Sequence, residues 1–458
     1  MGRRLERLAG GLALLVLAAA GLYALARALG PAPEERRALA LLEAPVPPPQ
    51  GRDGFAALYT GRHDVPESRQ VPLLAEDLRR YAAAGADASG MPRWRSALDE
   101  WPLLEDAREG DPPWCAPQAA DCLERGRARP AAYADLLERN PGLLRRAEAL
   151  RGYDHFRNPF PPRLDLPLPG FQGLARLATR TAWRFAAGQV DLALADACAD
   201  LALGRRLLEG GDSLAGSVMG GTLVESNATL LAQMLAELPA DHPLPAACAR
   251  AVALPLALEE GVCRAMLAEG RMVLGTLRAA TAEHGGVGSG PAGWAGRLLF
   301  DPGLTAARIA PRFAWYCGAQ ARARLARDLP LDGPPPPPRR PLRCLANLVG
   351  CRAADVAVPA HAGYARRLQD AAAQLRAVAA LLWLRGQGTV EPVLLERLPA
   401  AMRSPARPLR LDPRAGTLGT ARYWQRRPEA ADSWTVPLPA SRLQPAAPRG
   451  RRSGLRRP

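Results

Sequence analysis

The chain has 458 residues, 48% of them hydrophobic but only 5% aromatic, and a formal net charge of +15; such a length buries a large core and suggests about two or three domains. Ala, Leu, Arg, Gly and Pro dominate, a bias of GC-rich coding that favours helices packed through small side chains. All 60 basic residues are Arg, and the missing Lys removes Schiff-base chemistry, the phosphate-binding Lys of a P-loop and the Ser-x-x-Lys acylase pair, which argues against kinases and P-loop ATPases.

Residues 1–7, with Arg3, Arg4 and Arg7, form a basic start ahead of an uncharged stretch of nineteen residues, Leu8 to Ala26. Residues 8–26 are long enough to cross a bilayer as a transmembrane helix. The preceding Arg residues favour a cytoplasmic N-terminus and an exported remainder, hence a single pass through a bacterial inner membrane with the bulk of the chain periplasmic. A cleaved signal peptide competes, because Ala24-Leu25-Ala26 resembles a small-residue cleavage site, and cleavage would release a periplasmic binding module. The apolar run exceeds the usual core of a signal peptide, which favours a retained anchor.

Residues 27–69 read as a Pro-rich, charged spacer with at most one short helix, holding the body off the membrane. An exported helical domain follows over 70–330. Its strongest signal starts at Phe171: Leu174, Leu177, Ala178, Thr181, Ala182 and Phe185 share one helical face. Gly188 breaks that run, and Leu194, Ala197, Cys198, Leu201 and Leu208 make a second face, so the pair reads as an antiparallel hairpin. Further helices are expected from Leu214 to Leu238, from Ala246 to about His284 with a kink near Pro255, and from about Leu304 to Asp328. The unit is similar to one tetratricopeptide-like pair, but no second copy follows at its period.

Residues 331–343, rich in Pro, read as a stiff linker or loop, and 344–404 as a C-terminal helical segment packing on the main domain. Over 405–440, alternating residues around Asp412 to Gly416 and the stretch DSWTVPLP suggest a small β-ribbon. Residues 441–458 hold Arg442, Arg449, Arg451, Arg452, Arg456 and Arg457 without an acidic residue and read as a disordered basic tail, with lipid-headgroup or cell-wall contact as its functional alternative. Apart from that tail no compact Arg run occurs among aromatics, so no nucleic-acid partner is expected. The fold class is therefore mainly α: a transmembrane helix, an irregular array of helical hairpins and a C-terminal β-ribbon.

Eight cysteines, an even count, fit an oxidising compartment. Cys115 and Cys122, and likewise Cys344 and Cys351, are spaced to close local disulfide loops. Cys198, Cys248, Cys263 and Cys317 lie in helical segments and read equally as buried thiols or inter-helix bridges. No Cys-x-x-Cys occurs and no His stands at ligand spacing from either local pair, so neither a metal nor another cofactor is expected.

Candidate chemistry is sparse. The stretch GGDSLAGS, Gly210 to Ser217, contains Gly-Asp-Ser-Leu, which resembles the nucleophile block of the GDSL esterases and lipases and would make Ser213 a nucleophile. The stretch before it is helical where that family has a strand, no Gly-x-Asn-Asp follows, and no His stands three residues after an Asp. Gly210 and Gly211 read instead as a helix end, with Asp212 or Ser213 capping the next helix. Gly288-x-Gly290-x-x-Gly293 formally matches a dinucleotide fingerprint, but a helix precedes it and Pro291 sits inside it, so a helix-helix loop is preferred. Glu259, Glu260, Asp191, Asp196 and Asp200 read as solvated or Arg-paired helix faces, and His155 as a packed rather than a catalytic histidine. The sequon Asn227-Ala228-Thr229 is given no role. No catalytic residue is assigned.

Scattered pieces carry one further likeness: GFAALYTG near Gly54, CLERGRARPAAYADLLERNPGLLRR, NLVG at Asn347 to Gly350, YARRLQDAAAQL and LDPRAGTL. In these the layout resembles a group of uncharacterised proteobacterial membrane-anchored helical envelope proteins. The resemblance implies architecture and no activity. The functional expectation is a non-enzymatic scaffold or interaction module with an envelope protein as partner; the alternatives are an envelope hydrolase using Ser213 and the released binding module.

Overall fold

The structure, a computed structural model, describes residues 2–84, 94–104, 107–116, 119–253, 255–283, 296, 298–336, 338, 341–356, 361–387, 392–425 and 432–438. Among these, seventeen α-helices and three short strands are formed. The Gly288 to Gly293 motif, His284 and the tail at 441–458 lie outside them.

The apolar N-terminal stretch is one helix, α1, Gly2–Leu29. Its segment Arg7–Leu29 is long and apolar enough to cross a membrane. Only its last turns touch the body. The Tyr23 hydroxyl donates to the Leu298 carbonyl at 3.0 Å, Arg27 pairs with Asp301 at 3.0 Å, and Ala26 is buried between them.

Here the structure departs from the expected spacer. Residues 33–43 form α2, Pro33–Glu43, which buries Ala38 and Leu42 in a cluster with Leu267, Leu274, Ile309 and Phe313. Glu35 accepts from the Ala32 N–H at 2.7 Å, fixing the helix start, and pairs with Arg308 at 3.5 Å. Full burial of a single Leu is worth about 2 kcal/mol, enough to dock a helix this short. The chain composition around it, rich in Pro and charge, hides the two apolar positions that decide the matter.

The centre is the expected hairpin, α8 (Gln172–Ala186) and α9 (Val190–Gly210), with α10 (Leu214–Glu237) against it. Gly204 and Gly220 let α9 and α10 touch backbone to backbone: a Cβ on Gly220 would stand 2.6 Å from the Gly204 carbonyl oxygen. Helix α17 (His361–Arg385) packs on the other side of α10. Three short helices, α5 (Cys122–Ala128), α6 (Pro130–Arg139) and α7 (Pro141–Ala149), cover α8, and each of the last two begins with Pro at its first position. Before them α3 (Phe55–Thr60) and α4 (Glu67–Ala83) gather Phe55, Tyr59, Tyr81, Trp94 and Phe160 into an aromatic cluster.

The kink near Pro255 is a full break, between α11 (Ala246–Ala251) and α12 (Leu258–Glu283). The helix expected over Leu304 to Asp328 is also two, α13 (Pro302–Ala314) and α14 (Ala319–Ala326), separated by a 3-10 turn at Trp315–Cys317 and the extended Gly318. Cys317 in that turn is tied to Cys263, which gives the break its role. All eight cysteines are paired: Cys115–Cys122 and Cys344–Cys351 as local loops, Cys198–Cys248 between α9 and α11, and Cys263–Cys317 between α12 and the turn. The even-handed reading of the four helical cysteines thus resolves into bridges.

The C-terminal part comprises α15 (Pro341–Cys344), α16 (Leu348–Val356), α17 and an antiparallel ribbon of β1 (Arg410–Asp412), β2 (Thr417–Ala421) and β3 (Ser433–Pro437), in the order β1-β2-β3. Leu418 faces Leu411 on one side and Val436 on the other, and Leu418, Trp434 and Val436 are buried against the helices. A single fully buried guanidinium fastens the ribbon. Arg407 pairs with Asp370 at 2.6 Å and with Asp328, and lies 4.0 Å from the Tyr423 ring centre. The Asp370 carboxylate also accepts from the Tyr423 and Trp424 N–H groups, each at 2.9 Å, so the buried charges are hydrogen-bonded as well as paired.

Candidate functional site

The break between α9 and α10 opens into a cleft of about 620 Å³, bounded by the Pro-rich segment at 44–50, the loop at 154–158 and α12. Gly211 ends α9 with φ +61, and a Cβ there would also meet the Gly261 carbonyl oxygen at 2.8 Å, so only Gly serves. Ser213 caps α10: its Oγ accepts from the Gly216 N–H at 3.0 Å. The Gly-Asp-Ser-Leu stretch is a helix end followed by a helix start, as its local pattern indicated.

Asp212, between the two, is open to solvent at the cleft and accepts from the Asn158 N–H. Desolvation by the walls of the cleft pushes its carboxyl up to about 6, against the lowering pull of that N–H and of Arg157. His155 lines the same cleft as Ser213. Its Nε2 lies 3.8 Å from Asp53 Oδ2, its Nδ1 has no hydrogen-bond partner, and no hydrogen bond joins it to Ser213 among the described residues.

The proline segment is a strap held by arginines. Arg157 donates to the Val46 carbonyl at 3.2 Å and the Pro47 carbonyl at 3.4 Å, and Arg271 to those of Leu42 at 2.8 Å and Ala44 at 3.4 Å. Burial and then the neighbouring Arg157 lower the Arg271 pKa, though a guanidinium stays charged throughout the physiological range. At the strap's far end Asp154 accepts from the Arg52 N–H at 2.8 Å, and Asp53 from the Phe55 and Arg157 N–H groups at 2.9 and 3.1 Å. On the cleft wall Arg206 and Arg264 complete four arginines facing three carboxyl groups, those of Asp154, Glu209 and Asp212.

The other candidates fall elsewhere. Asp196 and Asp200 are buried and bound by Arg151 at 2.8 and 2.7 Å. Burial raises Asp200 to about 6 while Arg151 pulls it back. Asp191 is exposed beside His242 at 3.2 Å, and Glu260 is exposed with Arg264 at 3.7 Å. These carboxylates form no common site. Asn227 is buried with its side-chain amide donating to the Leu223 carbonyl at 2.9 Å, which closes the sequon to modification in the folded chain. Among the described residues no group of three His, Cys, Asp or Glu could hold a metal ion.

Of the cleft residues, sequence reasoning singled out His155, Asp212 and Ser213 separately and missed that they share a cavity. It missed Arg157, Arg206, Arg264 and Arg271 entirely, because in a chain whose only cation is Arg no single one stands out. The chain matches no family model, no curated protein and no solved structure. The likeness to membrane-anchored envelope proteins gains no support from these comparisons.

Proposed function

We propose that the chain is a single-pass protein of a bacterial inner membrane whose periplasmic helical body is an interaction module, receiving an extended segment of an envelope partner in the cleft beside the strap. One observation carries this reading: Arg157 already holds one extended segment by the carbonyl groups of Val46 and Pro47, next to the end of α2 taken by Arg271, and about 620 Å³ lies open beside it. Four arginines against three carboxyl groups, one of them titrating near 6, favour a partner with acidic side chains. The contacts of Tyr23, Ala26 and Arg27 with the body support a retained anchor, since cleavage after Ala26 would discard two of the three. Four disulfides support an oxidising compartment.

The test is photo-crosslinking in native membranes with benzoylphenylalanine at Gln50, on the rim of the cleft. A discrete protein adduct that weakens in Arg206→Gln is the expected result. Lipid adducts alone, or none, would end this reading. A second reading, a hydrolase using Ser213, draws support from the single fact that His155 and Ser213 line one cavity. Turnover of a nitrophenyl ester that disappears in Ser213→Ala would favour it.

A further inference from the structure

The body grips α1 before its apolar stretch ends. From Leu8 to Leu22, fifteen residues precede the first contact at Tyr23, and they span only ~22 Å as a helix. The hydrocarbon core of a bilayer is about 30 Å thick. Roughly 8 Å of hydrocarbon therefore has to be matched by the last two turns of α1 and by whatever is packed around them.

What surrounds those turns is apolar and turned to solvent. Tyr23, Ala26 and Arg27 face the body, while Leu22, Leu25 and Leu29 stay exposed on the outer face of α1. Beside them Leu298, Leu299, Leu342, Leu345, Leu348 and Val349 are each between 37% and 51% exposed. The elements that carry these side chains are fastened to the helix end. Arg343 donates to the Leu29 carbonyl at 3.3 Å and to that of Gly30, Tyr23 holds the Leu298 carbonyl, and Asn347 Oδ1 accepts from the Asp301 N–H at 2.9 Å. The Cys344–Cys351 bridge closes the loop carrying Leu345, Leu348 and Val349, and keeps these side chains outside. Such a set of leucines is a liability in water and an asset at a membrane surface.

We propose that the Cys344–Cys351 loop, together with Leu298, Leu299 and Leu342, forms a collar that enters the outer headgroup and upper acyl zone of the bilayer crossed by α1. This rests on α1 being the membrane anchor and goes beyond it, because it adds a second, non-spanning contact. Interfacial elements bury their apolar faces about 5–10 Å deep, the depth that the short free length of α1 leaves to be filled. Arg27 and Arg343 then sit at headgroup level, where long cationic side chains belong, and Tyr23 lies just beneath it with its hydroxyl satisfied by the Leu298 carbonyl. The collar also fixes the orientation of the body, since α1 alone would let it rotate about the helix axis.

The experiment uses the full chain in vesicles of phosphatidylethanolamine and phosphatidylglycerol, with a fluorescent amino acid at Leu348, at Leu15 or at Leu192. Lipids bearing a nitroxide near the headgroup or near the acyl terminus serve as quenchers. The expected result is headgroup-nitroxide quenching roughly threefold stronger at Leu348 than at Leu192, with Leu15 quenched from the acyl terminus. Leu348 quenched no more than Leu192, while Leu15 is quenched, would overturn the collar and leave the anchor standing. Leu348 shielded from a water-soluble quencher but untouched by lipid nitroxides would mean that protein covers it, a second copy or a partner, and would overturn the collar as well. Absence of quenching at Leu15 would remove the anchor reading and the collar with it.

Discussion

Asp212 is the residue at which pH should be felt. Its carboxyl is raised from 3.8 to about 6, so the folded state favours the protonated form. The stabilisation this gives is complete below about pH 3.8 and is lost as pH rises through about 6. Asp212→Asn, which mimics the protonated group, is expected to gain stability over the natural chain at pH 8 and none near pH 4, the gain being reduced by solvent screening of this exposed side chain, measured by urea unfolding in detergent. An equal gain at both values would show that the surroundings of the cleft do not hold the proton. Its neighbour Ser213 makes a cap, so Ser213→Ala should cost about 1 kcal/mol and Ser213→Asp should restore most of it, read in the same unfolding curves.

That cap was legible in the sequence because capping is local: two glycines, then Asp-Ser, then an apolar helical run. Its neighbours in space were not. His155 is 58 positions before Ser213 in the chain, and no periodicity links a loop histidine to a distant helix start. The arginines of the cleft share the same difficulty.

Among the elements, the helices with clean periodicity, α8 and α9, came through with boundaries close to those read from the residues. Where a tertiary contact decides, the reading was coarser. The short helix allowed for in the Pro-rich stretch docks on the body as α2, and the turn at Trp315–Cys317 is fixed by a bridge to Cys263 that spacing alone could not choose. The C-terminal ribbon was visible through its alternation, but its fastening was not. Arg407, buried among Asp328, Asp370 and Tyr423, holds the ribbon to α17. Arg407→Ala is expected to cost about 3 kcal/mol, because it leaves two buried carboxylates short of their cation. Limited proteolysis should then cut near 405–410 while the α8–α10 core stays intact. Unchanged stability and protection would mean that apolar packing of Leu418, Trp434 and Val436 suffices to hold the ribbon.

At the scale of the whole molecule, a helical body with four covalent ties, which fit an oxidising compartment, carries one helix long and apolar enough to cross a membrane. The two long-range bridges, Cys198–Cys248 and Cys263–Cys317, close loops of 50 and 54 residues and staple α9, α11, α12 and the turn after α13 into one unit. In the chain-entropy view each such loop contributes about 4 kcal/mol, so loss of oxidation would be felt across the body and not only at the surface. The segment at 44–50, held by Arg157, carries the chain from the end of α2 to the cleft.

The measurement to make first is the redox state of the cysteines in intact cells: acid quenching, alkylation of free thiols with a maleimide before and after reduction, and intact mass. An exported body predicts no alkylation before reduction and eight additions after it, in membrane-bound protein. Thiols alkylated without reduction would place the body in a reducing compartment and contradict both its export and the envelope role proposed for its cleft.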